Sequence, residues 1–376
     1  MEIYRIEARD GKARAGTLNL PRGPVPTPAF MPVATQGAVK AASHEELERL
    51  GFRLVMANTY HLAVRPGIEV IRRRGGLHRF MSWPGSIATD SGGFQVMSLA
   101  KYRKITDSGA VFRSPIDGNE HCFTPESVVA AQEAMGSDLY MCLDECPAAG
   151  CTREEAGRAA DRTRDWALRS LAARASGAGS LFGIVQGGIY ADLRVRCARE
   201  IAEMGFDGLA IGGLSVGEPR KETFAALDAA MPGLPEDRVR YLMGVGEPGD
   251  VIEAVSRGVD LFDCVFPTRV ARNGLALTRT GRVVIRNAAA AEEDVPLDSG
   301  CGCPACRRYT RAYLRHLLHA GEILGLMLLT LHNLAFMRDL LDAARKAILG
   351  GGFEGFRREW GAPWKRGEGE PDAARE

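Results

Sequence analysis

Three cysteines fall within six residues, Cys301-Gly-Cys303-Pro-Ala-Cys306, and thiolates at that spacing converge on one soft metal ion. Gly302 and Pro304 favour the tight turn that such convergence needs. A fourth ligand must come from farther along the chain, and His316, His319 and His332 all qualify by spacing. A Cys3His set is closed, with no open position for substrate, so the expected ion is one structural zinc per chain. The bland alternative is three ordinary core cysteines. Nine cysteines in 376 residues are too few and too uneven for a disulfide scaffold.

A second chemistry is carried by acids. Asp90 follows the apolar run Ser86-Ile-Ala-Thr89, Asp144 follows Asp138–Leu143, and Asp263 follows Leu261-Phe262. One aspartate at such a place is as readily a helix cap as a site residue; three beside glycine-rich turns indicate a shared site. Glu145 is a fourth acid, expected to stand behind the others. Ser91-Gly92-Gly93, Gln186-Gly187-Gly188 and Gly212-Gly213-Leu214 allow close backbone approach to a flat polar ligand. Gln186 can donate and accept at once, which suits the edge of a heterocycle. None of these segments has the lysine of a phosphate-binding Walker loop. Arg269 and Arg272 follow Asp263 in a turn-rich stretch suited to phosphate contacts, and Arg307, Arg308, Arg311 and Arg315 extend the basic character beside the cysteines.

The elements needed to bring these residues together are legible as a rhythm. Short apolar runs (Arg53–Ala57, Ser86–Thr89, Asp138–Leu143, Leu181–Val185, Gly208–Ile211, Arg240–Met243, Leu261-Phe262) each end in glycine or polar residues. Helical patterns lie between them at Ser43–Leu50, Thr124–Met135, Thr152–Ala175, Ala191–Met204, Arg220–Ala230 and Pro248–Arg257. Buried parallel strands alternating with helices predict an α/β fold, and about seven or eight units predict a (β/α)8 TIM-type barrel. A doubly wound sheet is the alternative, weakened because no G-x-G-x-x-G turn follows the first strand. In a barrel all strand ends share one face, which turns scattered motifs into one site. The expected organisation is a barrel over residues 1–294, a zinc-binding subdomain over 295–341, and a barrel-associated segment with a flexible tail over 342–376. The helix expected at Glu322–Leu341 carries more apolar surface than a monomer needs to hide, which suggests a subunit interface. The charged tail Gly361–Glu376 is expected to be disordered.

Composition restricts the partners. The 48 basic and 47 acidic residues leave a formal charge of +1, so any nucleic-acid surface must be a local patch. The N-terminal residues show no signal-peptide pattern, and runs such as Ile323–Leu329 are too short to span a membrane, so a reducing cytoplasm is expected.

Taken together the motifs resemble the bacterial tRNA-guanine transglycosylases, the queuine tRNA-ribosyltransferase family. The matching strings are Thr89-Asp-Ser-Gly-Gly-Phe-Gln-Val-Met-Ser98, Gln186-Gly-Gly188, Gly212-Gly-Leu-Ser-Val-Gly-Glu218, Phe262-Asp-Cys-Val-Phe-Pro-Thr-Arg269 and the cysteine cluster with His332. The similarity runs from about Gly16 to Gly350. It implies a TIM-type barrel with a zinc subdomain, a homodimer, and exchange of the anticodon wobble guanine for preQ1. The tRNAs would be those for Asp, Asn, His and Tyr, read at a U-G-U sequence. By the same resemblance Asp263 is the nucleophile and Asp90 the general acid/base. Asp144, Gln186 and the backbone of Gly213 hold the base edge, and the carbonyl of Leu214 meets the aminomethyl group of preQ1. Ser91, Phe94, Cys146 and Val216 complete the base pocket, and Arg269 and Arg272 touch RNA. The resemblance also selects His332 as the fourth zinc ligand.

Phe94 stands where bacterial members often have tyrosine, and its ring can still stack on a base. Cys146 and Val216 match the bacterial form, whose bulky wall favours preQ1 over queuine. Two rivals remain: an archaeal-type enzyme acting at another tRNA position, and a non-catalytic tRNA-binding partner subunit. The first usually carries further C-terminal RNA-binding domains, and the second would lack some of the three acids.

Overall fold

Strands covered on both faces must be apolar throughout, and Ser86–Thr89 and Gly208–Ile211 are buried at every residue. They belong to a closed barrel of eight parallel strands: Ala29–Ala34, Leu54–Ala57, Ser86–Thr89, Leu139–Met141, Ser180–Val185, Gly208–Ile211, Val239–Leu242 and Leu261–Cys264. The eighth closes on the first, with Leu261 opposite Ala29 and Asp263 opposite Met31. The structure is a computed structural model and describes residues 3–364, except 100, 101, 115, 117, 176 and 178.

The expected (β/α)8 architecture is therefore observed, and seven of its strands coincide with the apolar runs read from the sequence. Ala29–Ala34 was not anticipated. Pro28 and Pro32 interrupt its sequence pattern, and proline lacks the N–H that a central strand normally donates.

The crossover helices start where capping chemistry demands. Ser43, Thr124 and Thr152 each accept from the backbone N–H three residues on, and the residue at that third position bonds back to the cap. An antiparallel sheet of Tyr4–Asp10, Ala13–Leu20 and Gly23–Thr27 lies at the N-terminal end of the barrel. It is tied there by a buried ion pair. Arg14 Nε donates to Asp260 Oδ1 at 2.8 Å, Tyr4 OH donates to the same oxygen at 2.8 Å, and the Arg240 N–H donates to Oδ2 at 2.7 Å. A second small sheet, Arg103–Thr106, Gly109–Arg113 and Glu120–Phe123, is inserted after the third barrel strand. It packs through Phe112 and Phe123 in a cluster with Tyr60 and Trp166.

Beyond the barrel come a ribbon, Leu275–Thr278 with Gly281–Val284, and helices Pro304–Arg308 and Arg311–Ala320. The next helix runs unbroken from Ile323 to Leu349, longer than the Glu322–Leu341 stretch read from the sequence. By length and composition it passes as a membrane span, yet 67% of its most apolar window is buried within the chain. Its apolar surface packs within the chain on the barrel, the N-terminal sheet, the ribbon and the neighbouring helices. Ile323 and Leu324, at its start, are the large apolar side chains left exposed with Leu349 at its end. The chain then folds as helix Phe353–Gly361 and a 3-10 turn to Trp364, so the start of the segment expected to be disordered is ordered and Trp364 is buried. The rest of that segment, 365–376, lies outside the described residues.

Asp260→Ala would leave the Arg14 guanidinium buried without its anion. Loss of one member of such a pair should cost about 3–5 kcal/mol in urea unfolding; a loss below about 1 kcal/mol would show that the pair does not anchor the N-terminal sheet.

Candidate active site and thiol cluster

The C-terminal ends of the barrel strands deliver one polar group after another to a single mouth. Asn58 follows the second strand, Asp90 the third, Asp144 lies just beyond the fourth, and Gln186 follows the fifth. Gly213 lies beyond the sixth, Gly244 beyond the seventh, and Asp263 sits in the eighth. Together with Ser91, Phe94, Cys146, Leu214, Val216 and Arg269 they line, with the exception of Gln186, one cavity of about 410 Å³. Gln186 lies directly behind its wall. This is the face on which barrel chemistry is expected.

The three aspartates are each held by neutral donors. Asp90 Oδ1 accepts from the Thr59 N–H at 3.0 Å, and Oδ2 accepts from Asn58 Nδ2 at 2.5 Å. Asn58 is also the cap of helix Thr59–Val64, its Oδ1 accepting from the His61 N–H. One local motif thus starts a helix and orients a carboxylate. Asp144 accepts from Ser91 Oγ at 2.8 Å and from Gln186 Nε2 at 2.7 Å. Asp263 accepts from Tyr241 OH at 2.5 Å and from the Gly244 N–H at 2.9 Å, both on Oδ1.

Burial raises the pKa of all three. For Asp90 burial is the largest cause and the charge of Asp263 adds to it; the donors from Thr59 and Asn58 oppose them, and the result is about 7. A carboxyl group at that value exchanges its proton near neutrality. Burial likewise raises the Tyr241 hydroxyl, which Asp263 pushes up further, so the phenol stays a donor.

Glycine is required at two places here. A Cβ on Gly93 would sit 2.5 Å from the Asp144 carbonyl oxygen. At Gly213 (φ +64°) it would sit 2.2 Å from Gln186 Oε1. That Oε1 is buried and has no hydrogen-bond partner among the described residues, so an acceptor stands ready beside the cavity. The amide is oriented by its neighbour, because only Nε2 can donate to the Asp144 carboxylate.

Glu145 is paired with Arg162 and its N–H is held by Thr163, away from the cavity lining. Arg272 Nη1 donates to Thr268 O in its own helix at 2.8 Å. Arg311 ties down the loop before the cysteines through Glu293, Pro296 O and Leu297 O, and Arg315 bonds Asn287 O. These two arginines hold the subdomain together and are only in part available to an RNA. Tyr241, Asn58 and Glu218 were not singled out from the sequence. Glu218 accepts from the N–H groups of Ser215, Val216 and Gly217 and from Thr223 Oγ1, fixing the loop after Gly213. Within an apolar strand Tyr241 reads as core, and its hydroxyl's partner is visible only in three dimensions.

The ligand atoms of Cys301, Cys303, Cys306 and His332 lie within 4.8 Å of one another, a spread that suits one tetrahedral soft ion. His332 Nδ1 is 3.3 Å from Cys306 Sγ and 3.6 Å from Cys303 Sγ, while Nε2 is 2.9 Å from Leu277 O. A carbonyl requires Nε2 to carry the proton, so the Nδ1 lone pair faces the sulfurs. His316 and His319 lie on the helix Arg311–Ala320 and are not part of the cluster.

The family model described as "Queuine tRNA-ribosyltransferase" matches residues 10–366. A queuine tRNA-ribosyltransferase of Desulforudis audaxviator is 52% identical over 360 residues, 96% of each chain. One from Pelotomaculum thermopropionicum is 54% identical over 348 residues, covering 93% of this chain and 94% of that protein. One from Herpetosiphon aurantiacus is 49% identical over 357 residues, covering 95% and 91%.

The charge of Asp263 raises the Asp90 pKa, so Asp263→Asn should lower it. Carbon-detected NMR titration of the aspartate carboxyls should show the Asp90 midpoint falling below about 7 in the variant. An unmoved or raised midpoint would mean that the two carboxylates do not interact.

Proposed function

This chain belongs to the queuine tRNA-ribosyltransferase family, and from that premise we propose that it exchanges the wobble guanine of tRNAs bearing a U-G-U anticodon sequence for preQ1, through a covalent ribosyl intermediate on Asp263. The tRNAs are those for Asp, Asn, His and Tyr. The observation that carries this reading is the division of labour at Asp263. Both of its hydrogen bonds fall on Oδ1, which leaves Oδ2 for an electrophile.

In the first half-reaction Oδ2 bonds to C1′ of the ribose as the C1′–N9 bond breaks. The transition state has oxocarbenium character, which an adjacent carboxylate stabilises. Guanine departs with the bonding electron pair and takes a proton from Asp90, whose pKa of about 7 supplies the neutral acid near neutral pH. In the second half-reaction the Asp90 carboxylate removes the N9 proton of preQ1. That nitrogen attacks C1′, the ester bond to Asp263 breaks, and the two inversions give net retention. The RNA backbone is not cut.

The base pocket has complementary chemistry. Guanine and preQ1 present N1–H and 2-amino donors beside an O6 acceptor. Asp144 and the free Gln186 Oε1 are acceptors, and the Gly213 N–H is the donor for O6. The Leu214 carbonyl is assigned to the aminomethyl group of preQ1. Ser91 orients Asp144, and Phe94, 47% exposed, is free to stack on a base. Cys146 and Val216 form the wall that favours preQ1 over queuine. Reaching this cavity requires the base to leave its stack, which an anticodon loop allows at less cost than a duplex. Arg269 at the cavity and Arg272 one turn on are the proposed phosphate contacts.

Zinc bound by Cys301, Cys303, Cys306 and His332 belongs to the same proposal. When bound it supplies a closed, four-ligand cross-link between the cysteine turn and the long helix. A homodimer is favoured by the apolar side chains exposed beside this subdomain, Tyr313, Ile323 and Leu324. A reducing cytoplasm, where tRNA and free thiols coexist, is the proposed compartment.

Two experiments test the reading. Wild-type protein should release labelled guanine from the wobble position of a tRNA-Tyr transcript only when preQ1 is present, and Asp263→Ala should abolish release. Release that persists in Asp263→Ala would overturn the nucleophile, and a folded wild type that releases nothing would overturn the exchange itself. Metal analysis of purified protein should find about one zinc per chain. His332→Ala should lose it and His316→Ala should retain it; the reverse would reassign the fourth ligand.

A further inference from the structure

Arg194 is a fully buried arginine (0% exposed) in the first turn of helix Ala191–Glu203, and its hydrogen bonds all go to main-chain carbonyls. Nε donates to Gly188 O at 2.7 Å, Nη1 to Val185 O at 3.0 Å and Gly212 O at 2.7 Å, and Nη2 to Gly213 O at 3.0 Å. Val185 and Gly188 flank the turn after the fifth barrel strand, the turn that carries Gln186. Gly212 and Gly213 form the turn after the sixth. The helix can approach this closely because residue 187 is glycine: a Cβ there would lie 2.9 Å from the Arg194 backbone nitrogen.

A buried guanidinium among neutral carbonyls is an expensive arrangement. No other side chain offers five N–H donors in a rigid fork, which is what four carbonyls from two separate turns require. The consequence follows from the planar trans peptide, in which a carbonyl and the next N–H point in opposite directions. With the Gly212 oxygen drawn onto Arg194, the Gly213 N–H is directed away from it, and Gly212 and Gly213 both line the cavity. The Gln186 Oε1, without a hydrogen-bond partner among the described residues, stands beside this same peptide.

We propose that Arg194 is the positioning residue for base recognition: its guanidinium locks the fifth-strand and sixth-strand turns together, so that the Gly213 N–H and the Gln186 carboxamide present one fixed donor-acceptor edge to the incoming base. It touches neither substrate and acts through the two turns. The inference rests on the base-exchange reading above and extends it to the residue that sets the shape of the pocket edge.

The test measures guanine and preQ1 incorporation into a tRNA-Tyr transcript by wild type, Arg194→Lys and Arg194→Met, with melting temperature recorded for each. Wild-type exchange is the control, and its absence would sink the base-exchange reading and this inference with it. Given an active wild type, Arg194→Lys, whose shorter ammonium reaches fewer of the four carbonyls, should raise the KM for the free base roughly three- to tenfold, as expected for one or two lost hydrogen bonds. The KM for tRNA should stay within about twofold, since the RNA-facing groups are untouched. Arg194→Met should raise the base KM further where it folds, and the partial recovery in Arg194→Lys identifies the lost bonds as the cause. An unchanged base KM in a folded Arg194→Lys would overturn the proposal. So would an equal rise in both KM values, or a lysine variant that does not fold, because each assigns Arg194 to general stability.

Discussion

Three carboxylates are buried at one barrel mouth, and among the described residues none has a cation within hydrogen-bond reach. The rest of the site is organised around that constraint. An arginine beside Asp90 or Asp263 would have driven its pKa far down and left a permanently charged, tightly paired group. Here the donors are Asn58, Thr59, Ser91, Gln186, Tyr241 and Gly244, all neutral, so each carboxylate is oriented while burial still holds its pKa up. The three then diverge by their partners. Asp144 accepts on both oxygens from groups of the base-binding wall, Asp263 on one oxygen only, and Asp90 feels the charge of Asp263. One side chain type thus stands in three electrostatic settings at one mouth, which is what the proposed roles of acceptor, nucleophile and acid require.

Such a site needs its donors supplied from different parts of the chain, and the parallel barrel does this by convergence. Every strand contributes its C-terminal end to the same face, so residues as far apart as Asn58 and Asp263 line one cavity. The opposite end carries the strong ion pair. Arg14 and Asp260 are buried together beneath the N-terminal sheet, where a fixed charge pair stabilises without disturbing the chemistry. The long helix Ile323–Leu349 links the thiol cluster to the barrel. His332 faces the sulfurs and bonds Leu277 O, while its neighbour Asn333 bonds the Leu277 N–H, Leu275 O and Pro267 O. Pro267 belongs to the helix that follows Asp263 and carries Arg269. Order at the thiol cluster is thereby coupled to the segment that follows Asp263.

How much of this the amino-acid order reveals depends on the range of the interaction. The barrel rhythm and the helix starts at Ser43, Thr124 and Thr152 are local patterns, and they read correctly. The carboxylates were legible because each ends an apolar run. The first barrel strand was not, since prolines at 28 and 32 imitate a loop while the eighth strand pairs with it regardless. Spacing left three histidines open for the thiol cluster, and only the packing of the long helix brings His332 rather than His316 to the sulfurs. Tyr241 and Arg194 were invisible for a related reason. A tyrosine in an apolar strand reads as core and an arginine on an amphipathic helix reads as surface, and their partners lie on another strand and in the turns after two others.

The arginine distribution carries the argument one step further. A chain with a net charge of +1 cannot collect a polyanion by its overall field, so binding of tRNA must rely on the local placement of its cations. Several arginines near the site are committed elsewhere. Arg194 is consumed by four carbonyls, Arg311 by the loop before the cysteines, and Arg162 by Glu145. Arg269 lines the cavity itself, in the helix that follows the Asp263 strand. The short helix Phe266–Arg272 follows Asp263 directly in the chain and carries Arg269 into the same cavity, so any proposed phosphate contact at Arg269 is fixed by the element that also fixes the end of the Asp263 strand.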